Sequence, residues 1–272
     1  MMKIGMSAGC VYPLSVDDAF RLSAAAGYDG VEVMVTNDKT TQSVDALLAL
    51  AEEHDQPILS VHAPVLLLTH FVWGRDPQVK LEKSAELAAA VGASTVVVHP
   101  PFRWQATYAE KFLDIVRQTH QNTGVEIAVE NMFPWAVGGR SVQAYAPGPD
   151  PRELDCDHIT LDFSHAALSG HNSLELAKDF GARLRHVHLC DGATTGDDGR
   201  IFDEHLLPGY GIQPVAETLQ HLAEIGWSGH IVAEINTRKA KNETERLASL
   251  VETLEFARLH TSQVDARPVP SS

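Results

Sequence analysis

Residues His186 to Gly211, His-Val-His-Leu-Cys-Asp-Gly-Ala-Thr-Thr-Gly-Asp-Asp-Gly-Arg-Ile-Phe-Asp-Glu-His-Leu-Leu-Pro-Gly-Tyr-Gly, gather imidazoles and carboxylates into one short window. His186 and His188 alternate with Val187 and Leu189, so a β-strand here turns both rings to one side and packs the aliphatic residues on the other. Asp203 and His205 lie two apart and share a face in an extended segment. Pro208, Gly209 and Gly211 then bend the chain away. Carboxylates and imidazoles grouped in this way suit a divalent metal ion. The plainer alternative is an ordinary strand and loop whose histidines are satisfied by backbone carbonyls or water. Four such groups on two matched faces favour ligation.

Further carboxylates extend the set. Glu130, Asp162, His188 and Glu234 form a mixed carboxylate and imidazole group suited to Mn2+, Zn2+, Co2+ or Mg2+, with room for water or substrate oxygens. Glu130 and Glu234 close the apolar runs Ile127-Ala128-Val129 and Ile231-Val232-Ala233, where a buried carboxylate without a partner is costly. His165 follows Asp162 by three residues; in a turn leaving a strand it could bind a second ion or hydrogen-bond a substrate. His62, His99, Asp203 and His205 make an outer set that allows more than one ion. For His62 and His99, each before a proline-containing turn, a bond to neighbouring backbone is an equal alternative. His54, His120, His158, His171, His221, His230 and His260 read as structural.

These side chains need elements to hold them. The hydrophobic period switches repeatedly between strand-like and helix-like, giving eight βα units and a parallel sheet. Strands are predicted at 3–7, 31–35, 58–62, 94–99, 126–130, 159–162, around His186, and at 230–234. Helices are predicted from a Ser15 cap to Gly27, from Ser43 or Asp45 until Pro57 stops it, and over 77–91, 108–119, 174–180, 214–225 and 243–259. The Gly- and Pro-rich segment from Pro134 to Pro151 is either a long loop over a site or a solvated connection. The tail from Thr261 to Ser272 is expected to be disordered, leaving a single domain over residues 1–260. Eight such units specify a (β/α)8 barrel, whose catalytic groups stand at the C-terminal ends of the strands. His62, His99, Glu130, Asp162, His188 and Glu234 each stand at or next to such an end. A doubly wound open sheet is the structural alternative, but no Gly-x-Gly-x-x-Gly turn follows the first strand.

Composition narrows the function. The 272 residues are 44% hydrophobic, enough for a sizeable core, with no apolar run near the length of a bilayer crossing. The N-terminus runs into a strand rather than a signal-peptide core, and Cys10, Cys156 and Cys190 are too few and scattered for a disulfide framework. Free thiols and a cytoplasmic location are expected. With 21 Lys and Arg against 36 Asp and Glu, the net charge of -15 repels polyanions, so nucleic acid and membrane are not expected partners.

The chain carries Val-His-Ala-Pro ending at Pro64, Val-Val-His-Pro ending at Pro100, Val-Glu-Asn ending at Asn131, and Leu-Asp-Phe-Ser-His ending at His165. His-Leu-Cys-Asp ending at Asp191, Asp-Glu-His at 203–205, Pro-Gly-Tyr-Gly at 208–211 and Ala-Glu-Ile ending at Ile235 complete the series. In this order, over residues 3 to about 258, they resemble the xylose-isomerase-like TIM-barrel superfamily of sugar isomerases and epimerases, which also contains endonuclease IV. By resemblance to the epimerase branch, Glu130, Asp162, His188 and Glu234 would hold one divalent metal, with His165 contacting the substrate. Glu130 and Glu234 would act as acid and base on opposite faces, moving a proton next to a metal-bound carbonyl through an enediolate. By resemblance to endonuclease IV, the wider set with His62, His99, His165, Asp203 and His205 would hold three zinc ions for phosphodiester cleavage at abasic DNA. The acidic charge and the lack of a basic loop run favour the isomerase or epimerase. Arg75, Arg103 with neighbouring Trp104, Arg140 and Arg238 fall in rim-side loops and would serve a sugar, sugar phosphate or cyclitol, though an exposed arginine is commonly just a solvated charge. A barrel that binds a sugar without turning it over is the third alternative; dimers or tetramers are common among relatives.

Overall fold

The computed structural model describes residues 2–64, 69, 71–137, 140–146, 148–194 and 203–262. Eight parallel strands close into a barrel: β1 (Lys3–Ser7), β2 (Val31–Met34), β3 (Ile58–His62), β4 (Thr95–Val98), β5 (Glu126–Glu130), β8 (His158–Asp162), β9 (Leu184–Leu189) and β10 (His230–Ala233). β10 pairs with β1, which completes the ring. The β6 (Trp135–Val137) and β7 (Arg140–Val142) strands form an antiparallel hairpin outside it. No helix among the described residues is long and apolar enough to cross a membrane.

Around the ring lie α1 (Val16–Ala26), α2 (Val44–Glu53), α3 (Pro77–Val91), α4 (Ala106–Thr123), α6 (Ser173–Phe180), α7 (Val215–Glu224) and α8 (Glu243–Thr261). Their ends follow local chemistry. Ser15 and Asp18 close a capping box on α1, each side chain accepting from the other's backbone N–H, and Gly27 ends the helix in the left-handed region at φ 89°. Asp76 caps α3 ahead of Pro77, the first helical residue, where the missing N–H costs no hydrogen bond. Outward-facing strand residues such as Val187, Leu189, Ile127 and Val129 pack against the helices in one continuous apolar core. Cys10, Cys156 and Cys190 are buried free thiols.

Four features depart from the sequence reading. The α5 helix (Phe163–Leu168) starts immediately after β8, so His165 stands on a helix rather than in a turn. The short Phe-Ser-His-Ala-Ala-Leu run hides this helix because its N-cap is Asp162, whose carboxylate accepts the His165 N–H at 2.7 Å. The segment between Pro134 and Pro151 is neither a bare loop nor a mere connection but carries the β6–β7 hairpin. Its Trp135 and Tyr145 pack with Phe102 in a small aromatic cluster. Thr261 belongs to α8 rather than to a tail, because the helix hydrogen-bonding pattern continues through it; residues 263–272 lie outside the described residues. Helix α4 starts at Ala106 and ends at Thr123, longer at both ends than its apolar stripe alone indicates.

The chain after β9 is cinched at its neck. Asp191 Oδ1 accepts from the Gly192 and Gln213 backbone N–H groups at 2.8 and 3.1 Å, and Oδ2 from Gly209 at 3.0 Å. Asp191 and Leu206 exchange two backbone hydrogen bonds, both 2.8 Å. Gly211 is required there, since a Cβ would stand 2.2 Å from Asp191 Oδ1.

Candidate metal centre

Barrel register brings the ionisable residues to one end. Asp162 is opposite His188 across the β8–β9 pair, and His188 is opposite Val232 across β9–β10, one step below the strand end that leads to Glu234. His188 is fully buried, and its Nδ1 lies 2.9 Å from Glu130 Oε1, 2.9 Å from Glu234 Oε2 and 3.8 Å from Asp162 Oδ2. One ligand atom from each of Glu130, Asp162, His188 and Glu234 falls within 4.8 Å of the others. Glu130, Asp162 and His188 have essentially no solvent contact, whereas the Glu234 side chain keeps 12% of its exposure, so the group opens to solvent on the β10 side.

Two further groups adjoin this one. His62, His99 and Glu130 converge, with the His99 and His62 Nε2 atoms 3.0 and 3.6 Å from Glu130 Oε2. His62 turns its other nitrogen, Nδ1, to the Ala63 carbonyl at 2.9 Å, so the backbone bond and the inward contact coexist. On the other side Asp162, His165 and His205 converge. Asp203 Oδ2 bridges His165 Nε2 at 3.2 Å and His205 Nε2 at 2.8 Å, while Oδ1 accepts from the Ser164 hydroxyl at 2.6 Å. His205 adopts φ 45°, so its segment is not plainly extended as its spacing suggests; the His205 Nδ1 contact with the Glu234 carbonyl at 2.7 Å holds the ring in place.

The fit of this donor set to a cation turns on what neutralises its carboxylates. Among the described residues, the ion-pair partners of Glu130, Asp162, Asp203 and Glu234 are imidazoles alone. Glu130 Oε2 is buried without an aligned hydrogen bond, although two imidazole nitrogens stand near it. Buried carboxylates in that state are costly; within the four-residue group His188 Nδ1 and Glu130 Oε1 are at hydrogen-bonding distance, 2.9 Å, and the remaining carboxylate oxygens facing the same point fit an ion. Burial, chiefly, pushes the Asp162 carboxyl above its ordinary range. Burial acts the same way on Glu130, but the imidazoles of His188 and His165 outweigh it and hold that carboxyl well below the usual range. Burial would lower His188, yet Glu234, Glu32 and Glu130 together hold it well above the ordinary imidazole value. The Cys190 thiol beside Asp162 is pushed up to about 12 by burial, which removes it as a nucleophile.

The rim side chains stand apart from this cluster. Arg103 and Arg238 are exposed, and Arg238 lies over the Tyr12 ring, 4.3 Å from its centroid. Trp104 is 61% exposed and stacks on Phe102 at 4.3 Å. Arg75 lies over Phe71. No described contact joins any of these to the carboxylates. Conversely, sequence reasoning passed over Glu32, a fully buried carboxylate in the middle of β2, and, although it grouped His186 with His188 on one face, gave the pair no acceptor there. Glu32 contacts both rings, His188 Nε2 at 3.1 Å and His186 Nε2 at 3.0 Å. The signal was present in the paired inward histidines, which need an acceptor inside the barrel.

A family model described as "Xylose isomerase-like TIM barrel" matches residues 20–259. An uncharacterized protein of Mycobacterium tuberculosis (strain ATCC 25618 / H37Rv) is 44% identical over 278 residues, covering 95% of this chain and 98% of the relative. The crystal structure of a D-tagatose 3-epimerase-like protein superposes with a TM-score of 0.67 at 25% identity, covering 95% of this chain and 99% of that one. The structure of the IOLI protein with a bound zinc atom has the same fold, with a TM-score of 0.67 at 19% identity over 98% of this chain and 100% of that one.

Proposed function

The chain belongs to the xylose isomerase-like TIM-barrel family, and from that premise we propose that it is a metal-dependent isomerase or epimerase of a small sugar, sugar phosphate or cyclitol. The observation that carries this reading is the convergence of Glu130, Asp162, His188 and Glu234 on one buried point. Those four residues would hold the divalent ion, manganese, zinc, cobalt or magnesium. When bound, the ion draws electron density from a carbonyl oxygen and so acidifies the neighbouring C–H. Glu130 and Glu234 flank His188 from β5 and from the end of β10, and take and return the proton of that carbon. His165, held by Asp203 and by the Asn131 carbonyl, hydrogen-bonds the substrate. Arg103, Trp104 and Arg238 stand at the outer rim, where they would meet only the far end of a longer substrate.

The fit to a sugar epimerase rests on the likeness to a D-tagatose 3-epimerase-like protein and on the acidic charge. The test is solvent exchange: ketoses and inososes incubated with the metal-loaded protein in D2O acquire deuterium at the carbon beside the carbonyl. A panel that stays unlabelled with metal present rejects the reading. A second reading has its own observation, the two flanking groups of His62, His99 and Glu130 and of Asp162, His165 and His205, which with Asp203 would hold three zinc ions for phosphodiester cleavage. Robust incision of abasic-site DNA at physiological salt would select it; the net charge of -15 predicts none.

A further inference from the structure

Below the four-residue centre the barrel interior holds Glu32, whose side chain is fully buried. Its Oε1 lies 3.1 Å from His188 Nε2; its Oε2 accepts from the Ser60 hydroxyl at 2.8 Å and lies 3.0 Å from His186 Nε2. Ser60 is Glu32's register partner across β2–β3, so the strands themselves aim the carboxylate at the ring. His188 is therefore engaged at both nitrogens, Nε2 by Glu32 and Nδ1 by Glu130 and Glu234.

A neutral imidazole has one N–H and one lone pair. An ionised carboxylate at Nε2 accepts hydrogen bonds only, so when an ion takes the place of the Nδ1 proton it keeps the remaining proton on Nε2 and leaves the Nδ1 lone pair facing the ion among Glu130, Asp162 and Glu234. We propose that Glu32 is a positioning residue of the metal centre, holding His188 in the tautomer and orientation that present Nδ1 to the ion. This rests on the metal-centre reading above. The Ser60 hydroxyl holds Glu32 in turn, with His186 beside it at 3.0 Å, which gives a purpose to a carboxylate that is otherwise expensive to bury.

Metal-stripped full-length protein and its Glu32→Gln and Ser60→Ala variants are titrated calorimetrically with Mn2+ or Zn2+ alone. Glu32→Gln is expected to bind the same number of ions about 10–100-fold more weakly, and Ser60→Ala to weaken binding by a smaller factor. Affinity within twofold of wild type in Glu32→Gln overturns the proposal. Loss of one ion per chain also overturns it, by making Glu32, with His186 and His188, a ligand of a deeper ion. Should Glu32→Gln not fold, long-range proton–nitrogen NMR of the zinc-loaded wild type decides: a His188 proton on Nε2 supports the proposal and one on Nδ1 overturns it. A wild type that takes up no ion removes the metal-centre reading and this proposal with it, whereas tight wild-type binding with an indifferent Glu32→Gln removes this proposal alone.

Discussion

The two ends of the barrel are built from the same residue types with opposite outcomes. At the N-terminal end, Glu126 pairs with Arg185 at 3.4 Å and both keep solvent contact, while His158 and His230 open their strands with depressed basicity. At the C-terminal end, Glu130, Asp162 and Glu234 are met by imidazoles and by no arginine or lysine among the described residues, and His188 is held well above its ordinary value. The Glu126–Arg185 pair is neutralised by the chain itself and, being half exposed, adds little to stability. The carboxylates gathered at the other end, met by imidazoles alone among the described residues, are the ones the proposed metal centre would use.

The largest expected effect breaks the active end alone. Under the proposed function Glu234→Gln keeps the side chain's shape but would remove a ligand and a base, so turnover is expected to fall at least about a hundredfold while the melting temperature stays nearly unchanged; full activity would end the assignment. The converse variant lies in the shell. Leu219, fully buried on α7, contributes packing only, and Leu219→Ala is expected to cost about 2–5 kcal/mol in denaturant unfolding with ion stoichiometry intact. A smaller effect sharpens the boundary of the site. Asp203→Ala lowers the number of bound ions if Asp203 and His205 are ligands, and elemental analysis showing an unchanged count would remove them from the set. The smallest lies at the opposite end: burial, aided by His186 and Lys3, holds His230 at about 4. Its unfolded form titrates near 6.5, so the unfolded chain binds the extra proton between those values. Stability from this ring is complete above about 6.5 and drains away as the pH falls toward about 4. A His230 resonance titrating near 6.5 in the folded chain would erase the contrast with His188.

Much of this contrast was legible in the sequence. The alternation in His186–Leu189 places both rings inside and both aliphatic residues among the helices, and the boundaries of β1, β3, β5 and α3 coincide with those read from hydrophobic period, capping residues and prolines. Strand ends were legible because each closes an apolar run with a polar group. Glu32 was not, because it interrupts Val31-Glu32-Val33 in mid-strand and its partner His188 lies 156 positions away. The α5 helix was hidden for a related reason: Asp162 serves as its cap while facing His188, and one residue with two partners looks like a residue with one. The hairpin at Trp135–Val142 was masked by glycines and prolines that read as a loop, since its strands are only three residues each.

The neck at Asp191 anchors the residues that the chain brings back to the site after β9. The chain between β9 and α7 is tied off by one carboxylate, and Asp203 and His205 are held by their own contacts with Ser164, His165 and Glu234. Asp203 and His205 are therefore held by residues remote from them in sequence, on α5 and at the end of β10, and by the Asp191–Leu206 pair just beyond β9. Under the proposed function, the two groups that would move the proton, Glu130 and Glu234, sit at strand ends and so belong to the barrel wall itself.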